Sequence, residues 1–357
     1  MITELKERQP HPMSRFIITF TPHFKKEVLR ELAQVDPMVS LVNVFGGGKA
    51  LITSELENPI FTQKVVDQSP IFVKHIMPVM GEGKVVNDLE VDKKEILAAV
   101  DRIASPMNQE RFAVQCRIIS GGKGGLAYSS KDIEVYVGEA YFARGNTPSF
   151  SDSEILNDDI KIISVVISGG IFYVGYSNSH ENLNLHCDEH RVCSKSPRAI
   201  CRSENKLKEA LAKFNIVLSG EGVALDIGAA PGGWTKVLTD YGYEVIAVDP
   251  GDLHPTLQEN PKVKHHKMQI EKLDLTDHFD VVVDDMNVDP QDTSRIMVNL
   301  APTLKEGGMA IVTLKLPKRA EVSIKESVQI LGQAYEIVGI KSLFHNRQEV
   351  TVVLRKK

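Results

Sequence analysis

The spacing of apolar and polar residues divides the chain into stretches of different period. From Ser14, SRFIITF is a short apolar run, PHFKKEVLRELAQV repeats its apolar positions every three to four residues, and LVNVFGGGKALIT holds two apolar runs about a glycine turn. These predict a strand, an amphipathic helix and a hairpin, with a second helix near residues 59–68. They make a small α+β unit over residues 1–82. In the next stretch, DLEVDKKEILAAVDRIA predicts a helix, RFAVQCRIIS a strand, SSKDIEVYVGEAYFA a helix and IKIISVVISGGIFYVGYS a strand pair. That is a second α+β unit, over 83–178.

Between 179 and 202 the periodicity fades into polar sequence, read as a linker. Residues 203–357 then alternate short strand-like runs (VALDIG, EVIAVD, KVKHHKM, FDVVVDD, MAIVTLK) with helical stretches. This alternation is the pattern of a parallel, doubly wound, Rossmann-like α/β sheet. After a helix near 320–333, YEIVGIKSLF and EVTVVLRK are close enough to pair as an antiparallel end hairpin, which brings the sheet to seven strands.

Composition changes this picture little. With 357 residues, 42% hydrophobic and 25% charged, the chain is long enough for two or three domains of ordinary globular composition. A formal charge of -5 gives no global attraction to nucleic acid, so any such contact must rest on a local patch. The N-terminal MITELKERQPHPM has no apolar core of a signal peptide, and the longest apolar stretch, from Ile162, is too short for a membrane helix and is broken by a glycine pair. Four cysteines in a chain this long do not suggest a disulfide scaffold. A cytoplasmic protein with no membrane partner is expected.

The candidate chemistry begins at Leu225, where the chain reads LDIGAAPGGWTK. This loop is neither the dinucleotide fingerprint nor a phosphate-gripping loop ending in G-K-[ST]. Asp226, just before it, would repel a phosphate and attract a cation or amino group, which suits the methionine end of S-adenosylmethionine. Asp249 closes the next strand, roughly twenty residues on, where an acceptor for ribose hydroxyls belongs. The candidate cofactor loop is therefore Gly228, Ala230, Pro231, Gly232, Gly233 and Trp234.

GAAPGGW resembles the cofactor loop of the FtsJ (RrmJ) class of S-adenosylmethionine-dependent RNA 2'-O-ribose methyltransferases. That resemblance implies a lysine-aspartate-lysine-glutamate tetrad: RSENKLKEA supplies Lys206, VVVDDM supplies Asp285, VTLKLP supplies Lys315 and RQEVTVV supplies Glu349. RSENKL, NLAPTLKEGG with TLKLPKR, and SLFHNRQEVTVVLR resemble more specifically the type that methylates large-subunit rRNA (the methyltransferase M, or RlmM, type). That type carries a THUMP RNA-binding module. FTPHFKKEV and IFYVGYS make the first two units compatible with a ferredoxin-like domain followed by THUMP.

The resemblance also implies that Ser203 contacts cofactor or substrate, that Asp285 borders the cofactor, and that an acid after the third strand faces the adenine amino group. Here that position is Gln269, which accepts the same hydrogen bond without charge.

A ribose hydroxyl must lose a proton as it attacks a sulfonium methyl, and lysine, with its ordinary pKa of about 10.4, is a poor base unless burial or a neighbouring cation lowers it. Lys206 beside Lys315 is expected to do so, with Lys315 as proton acceptor and Asp285 and Glu349 orienting the amines. Because the carboxylates favour charged lysine, sequence leaves the net effect open.

Other chemistries fit less well. DDMNVDP lacks the Pro-Pro-aromatic of exocyclic amine methylation, and all four cysteines precede the catalytic domain, against cysteine-dependent C5 methylation. Cys187, His190, Cys193 and Cys201 are zinc-ligand types at a spacing that matches no zinc motif, so no metal is expected. Lys123 and Lys131 offer phosphate contacts beside a glycine-rich loop. Arg191, Lys195, Arg198, Arg202, Lys206, Lys208 and Lys213, extended by Lys318 and Arg319, form the local basic track that RNA requires. The partner is read as RNA, rRNA first. The alternatives are a tRNA 2'-O-methyltransferase and a non-catalytic RNA-binding or ribosome-assembly factor.

Overall fold

The computed structural model describes residues 13–104, 107–119, 125–149, 160–183, 200–275, 278–317 and 319–357. The chain divides into two compact units, Met1–Cys187 and Asp188–Lys357.

The N-terminal unit contains two sheets. Strand β1 (Ser14–Phe20), helix α1 (Lys25–Val35), β2 (Ser40–Gly46), β3 (Lys49–Ser54), α2 (Asn58–Gln68) and β4 (Val73–Val79) follow a β-α-β-β-α-β order. Their antiparallel sheet has the order β2-β3-β1-β4. This is the split ferredoxin-like arrangement. It forms because β1, flanked by two strands and covered by helices, is buried from Phe16 to Phe20.

The second sheet has the order β5-β9-β8-β6-β7. It is built from β5 (Gly81–Lys84), β6 (Arg111–Ile119), β7 (Thr147–Pro148), β8 (Lys161–Ser168) and β9 (Ile171–Asn178), with helices α3 (Leu89–Ile103) and α4 (Ser130–Ala143) packed on it. Ile17, Leu51 and Met77 of the first sheet share a buried cluster with Val166 and Tyr173 of the second. The segment read as linker from 179 starts later than its polarity suggests. Ser179–Asn182 is a 3-10 turn folded into this unit, with Asn182 fully buried and accepting the Ser177 hydroxyl.

The C-terminal unit starts with helix α5 (Ser203–Lys213) and holds one seven-stranded sheet of order β12-β11-β10-β13-β14-β16-β15. Strands β10 (Val223–Ile227), β11 (Glu244–Val248), β12 (Val263–His266), β13 (Phe279–Asp284) and β14 (Leu304–Lys315) are parallel. β16 (Glu349–Lys356) is antiparallel to β14 and lies between it and β15 (Tyr335–Lys341), so the terminal hairpin enters the sheet by its second strand. Helices α6 (Gly233–Tyr241), α7 (Pro255–Gln258), α8 (Pro290–Leu300) and α9 (Ala320–Leu331) link the strands. In such a sheet, sites form beyond the carboxyl ends of the parallel strands where the order reverses, here between β10 and β13.

Candidate active site

β10 ends in Asp226-Ile227, and the chain turns at Gly228, whose φ of +70° lies in the left-handed region that glycine adopts freely. A Cβ at Gly228 would lie 2.9 Å from the backbone of Met286, so only glycine lets the loop lie against the turn after β13. Gly232 caps α6 with φ +112°, and a Cβ there would strike Leu257. The Trp234 indole N–H donates to the Ser203 carbonyl at 2.8 Å and ties α6 to the start of α5. Asp249 secures the loop from the next strand: Oδ2 accepts from Ala230 N at 3.1 Å and Oδ1 from Gly251 N at 2.6 Å.

The sheet register assembles the tetrad. Lys315, the last residue of β14, is directly paired with Glu349, the first of β16. Asp285 follows β13, and Lys206 reaches the same point from α5. Lys206 Nζ lies 2.9 Å from both Asp285 oxygens and 2.7 Å from Glu349 Oε1. Lys315 Nζ lies 2.9 Å from Asp285 Oδ1 and also bonds Glu349 Oε2. Each lysine thus touches both carboxylates, and their formal charges cancel.

The charges settle differently from the expectation of a lowered lysine. Burial works against the Lys315 ammonium, but the Asp285 and Glu349 carboxylates outweigh it and hold its pKa above the ordinary lysine value. Glu349 is the mirror case: burial opposes its charge, and the two ammonium groups hold it below the usual glutamate range. At rest Lys315 therefore keeps its proton against an ionised Glu349.

A cavity of about 600 Å³ opens beside this ring. Of the expected cofactor residues, Ser203, Asp226, Gly228, Ala230, Pro231, Trp234 and Asp285 line it, as do Lys206 and Glu349. Lys315 is not among the lining residues and joins the ring through Asp285 and Glu349. Gly232, Gly233, Asp249 and Gln269 are not among the lining residues. Gly232 and Gly233 are held by packing, a Cβ at Gly233 falling 2.4 Å from the Ser203 hydroxyl. Gln269 is exposed, ahead of a 3-10 turn.

Sequence reasoning missed several supports. Thr313 donates its hydroxyl to Asp285 Oδ1 at 2.7 Å. Asp284 is fully buried beside Asp285, and burial pushes its carboxyl up to about 8. Glu209 and Asn346 brace the loop before Glu349. The doubled acid in VVVDDM and the Asn three residues before Glu349 were visible signals of polar groups at a strand end.

Cys187, His190, Cys193, Arg191, Lys195, Arg198, Lys123 and Lys318 lie outside the described residues. Cys201 is within hydrogen-bond distance of the Ser203 hydroxyl, at 2.9 Å, and no cluster of three metal-ligating residues occurs among the described residues. No helix among them is long and apolar enough to cross a membrane.

Residues 199–324 match the family model of the FtsJ-like methyltransferases. The matched residues all lie in the C-terminal unit. A protein of Edwardsiella ictaluri named ribosomal RNA large subunit methyltransferase M is 34% identical over 209 residues, 53% of this chain and 54% of that one. A protein of the same name from Laribacter hongkongensis is 36% identical over 174 residues, 43% and 47% of the two chains. An uncharacterized protein of Methanocaldococcus jannaschii is 26% identical over 167 residues, 44% and 47%. The chain spans about half the length of the curated relatives it matches. Among solved structures, TrmN from Thermus thermophilus aligns over 96% of this chain and all of that one at 13% identity, with a TM-score of 0.39.

The cofactor of an FtsJ-like domain is S-adenosylmethionine, and the residues present fit it. Asp226 is buried, with Oδ2 accepting the Thr235 hydroxyl at 2.6 Å and Oδ1 left without a partner. Burial pushes its carboxyl up to about 7, against the Thr235 hydrogen bond and with the Asp285 and Asp249 charges. An orphaned acceptor at a cavity wall, destabilised as an anion, is a site for a cationic group. The full negative charge expected at Asp226 is therefore only partly present at neutral pH.

Proposed function

We propose that this protein is an S-adenosylmethionine-dependent RNA 2'-O-ribose methyltransferase acting on large-subunit rRNA. The carrying observation is the closed ring of Lys206, Asp285, Lys315 and Glu349, of which Lys206, Asp285 and Glu349 line the cavity of the FtsJ-like domain. The names of the curated relatives support rRNA as the substrate class.

Gly228, Ala230, Pro231 and Trp234 would hold the cofactor, with Asp226 facing its cationic end. Bound there, S-adenosylmethionine supplies an electrophilic methyl group. Lys206 and Asp285 would orient the target ribose hydroxyl, and neutral Lys315 would take its proton as that oxygen accepts the methyl group the cofactor would supply. Glu349 keeps the Lys315 amine aimed. Alignment of this kind can contribute up to about 7–11 kcal/mol to lowering a barrier. Lys315 must shed the proton it holds at rest, so the raised lysine makes the reaction depend on alkaline pH. Residues 1–82 and 83–178 are read as the ferredoxin-like and THUMP modules that present the RNA. Arg202 and Arg347, both exposed at the cavity, contact its phosphates.

The test is transfer of label from methyl-labelled S-adenosylmethionine to rRNA and tRNA fractions from a strain lacking the gene. Incorporation into large-subunit rRNA is expected. Incorporation into tRNA alone would overturn the substrate, and none into either would overturn the activity.

A further inference from the structure

Helix α5 supplies Lys206 and, one turn later, Glu209. Glu209 is buried, and its two oxygens accept three hydrogen bonds from the loop that leads into β16. Phe344 N donates at 2.6 Å, His345 N at 3.0 Å and His345 Nδ1 at 2.8 Å. Asn346 is also buried in that loop. Its Oδ1 accepts from Leu343 N at 2.7 Å and from the Thr351 hydroxyl at 3.2 Å. That fixes which end of the amide is nitrogen, and Nδ2 donates to Glu349 Oε1 at 3.3 Å.

We propose that Asn346 and Glu209 are positioning residues for the reaction, Asn346 aiming the Glu349 carboxylate and Glu209 locking its loop to the helix that carries Lys206. The inference rests on the tetrad reading above. Lys206 takes the same oxygen, Oε1, that Asn346 holds, while Lys315 takes Oε2. Asn346 therefore decides which rotamer of Glu349 lets one carboxylate serve two lysines. Loop residues have many conformations available, and a carboxylate at the first position of a strand has no helical turn to confine it. Two buried side chains remove that freedom here.

Both sides of Glu349 are charged. Lys206 faces it from α5, Lys315 from β14, Asp285 lies across the two lysines from β13, and His345 sits on its own loop bound to Glu209. Asn346 is the neutral donor in this set, and its neutrality is the point of attack. Asn346→Asp keeps the oxygen that Leu343 N and Thr351 use, so the loop retains those bonds. It places a second carboxylate against Glu349 Oε1 in place of an N–H. Two carboxylates sharing one site cannot both ionise easily, and one titrates upward.

The experiment compares wild type, Asn346→Asp, Glu209→Gln and Lys315→Ala as full chains. Two readouts are taken: methyl transfer to the rRNA fraction, and the ¹³C titration of the Glu349 carboxyl and of any carboxyl at position 346, which needs no activity. For Asn346→Asp, kcat is expected to fall about tenfold or more with KM little changed, an effect of about 1.4 kcal/mol on the barrier. One carboxyl of the pair so formed, Glu349 or its new neighbour, is expected to titrate about one unit or more higher. Glu209→Gln is expected to lower kcat less, with KM again unchanged. A wild-type kcat in folded Asn346→Asp overturns the proposal, as does a loss carried by KM with kcat unchanged. If Lys315→Ala is as active as wild type, the tetrad reading fails instead. If it is inactive while Asn346→Asp behaves as wild type, only the positioning role fails.

Discussion

Asp226 and Asp284 end neighbouring parallel strands, and each has one carboxylate oxygen that no hydrogen bond reaches. Burial holds the first up to about 7 and the second up to about 8. The signs follow from linkage. A carboxyl raised in the folded state binds more protons there than when unfolded, so stability falls as pH rises from the ordinary aspartate range through 7 and 8. Replacing Asp284 with Asn is expected to raise the melting temperature at pH 8 and to change it little at pH 5, as thermal denaturation at the two pH values will show. Cofactor binding has the opposite slope. A cationic ligand prefers ionised Asp226, so calorimetric affinity for S-adenosylmethionine is expected to increase between pH 6 and 8, and Asp226→Asn to flatten that increase and weaken binding at pH 8.

Lys315, held above the ordinary lysine value, sets a third expectation: kcat/KM climbs about tenfold per pH unit through pH 7–9 with no plateau. The identity of the four ring residues was legible in short motifs. Their charge state was not, because it depends on both lysines touching both carboxylates, a matter of distances of about 3 Å that no spacing along the chain encodes.

At the scale of elements, the site is a consequence of register. Lys315 opposes Glu349 across the β14–β16 ladder, and Asp284 sits level with Val312, which brings Asp285 to Thr313. A slip of one residue in β16 would turn Glu349 to the other face of the sheet. Thr313→Val removes the hydroxyl that fixes Asp285, at a cost of about 1 kcal/mol, and kcat is expected to drop several-fold in steady-state assays while the fold is kept. The parallel core strands were readable because they are continuous apolar runs between glycine and acid stops. β5 was not, since GEGK has no apolar period and becomes a strand by pairing with β9. The 3-10 turn at Ser179–Asn182 looked like linker for a similar reason: its buried Ser179 and Asn182 are satisfied by bonds to Ile160 N and to the Ser177 hydroxyl, which hydropathy does not register.

At the scale of the molecule, a formal charge of -5 coexists with the proposed RNA substrate because the positive groups are local. Phosphate contacts release counterions, so binding should weaken steeply with salt. Arg202→Gln with Arg347→Gln is expected to flatten the slope of log affinity against log salt by about 1.4–1.8, as for two lost phosphate contacts. The division into two compact units falls inside the polar stretch where periodicity fades, while the β-α-β-β-α-β order of the first sheet emerged only once β4 was seen to complete it. The central claim is that the Lys206–Asp285–Lys315–Glu349 ring transfers a methyl group to a ribose oxygen. Nucleoside mass spectrometry of rRNA treated with wild type or Lys315→Ala tests it most directly. The account predicts a 2'-O-methyl nucleoside with wild type that is absent with Lys315→Ala. A base-methylated nucleoside, or a 2'-O-methyl product undiminished by Lys315→Ala, would contradict it.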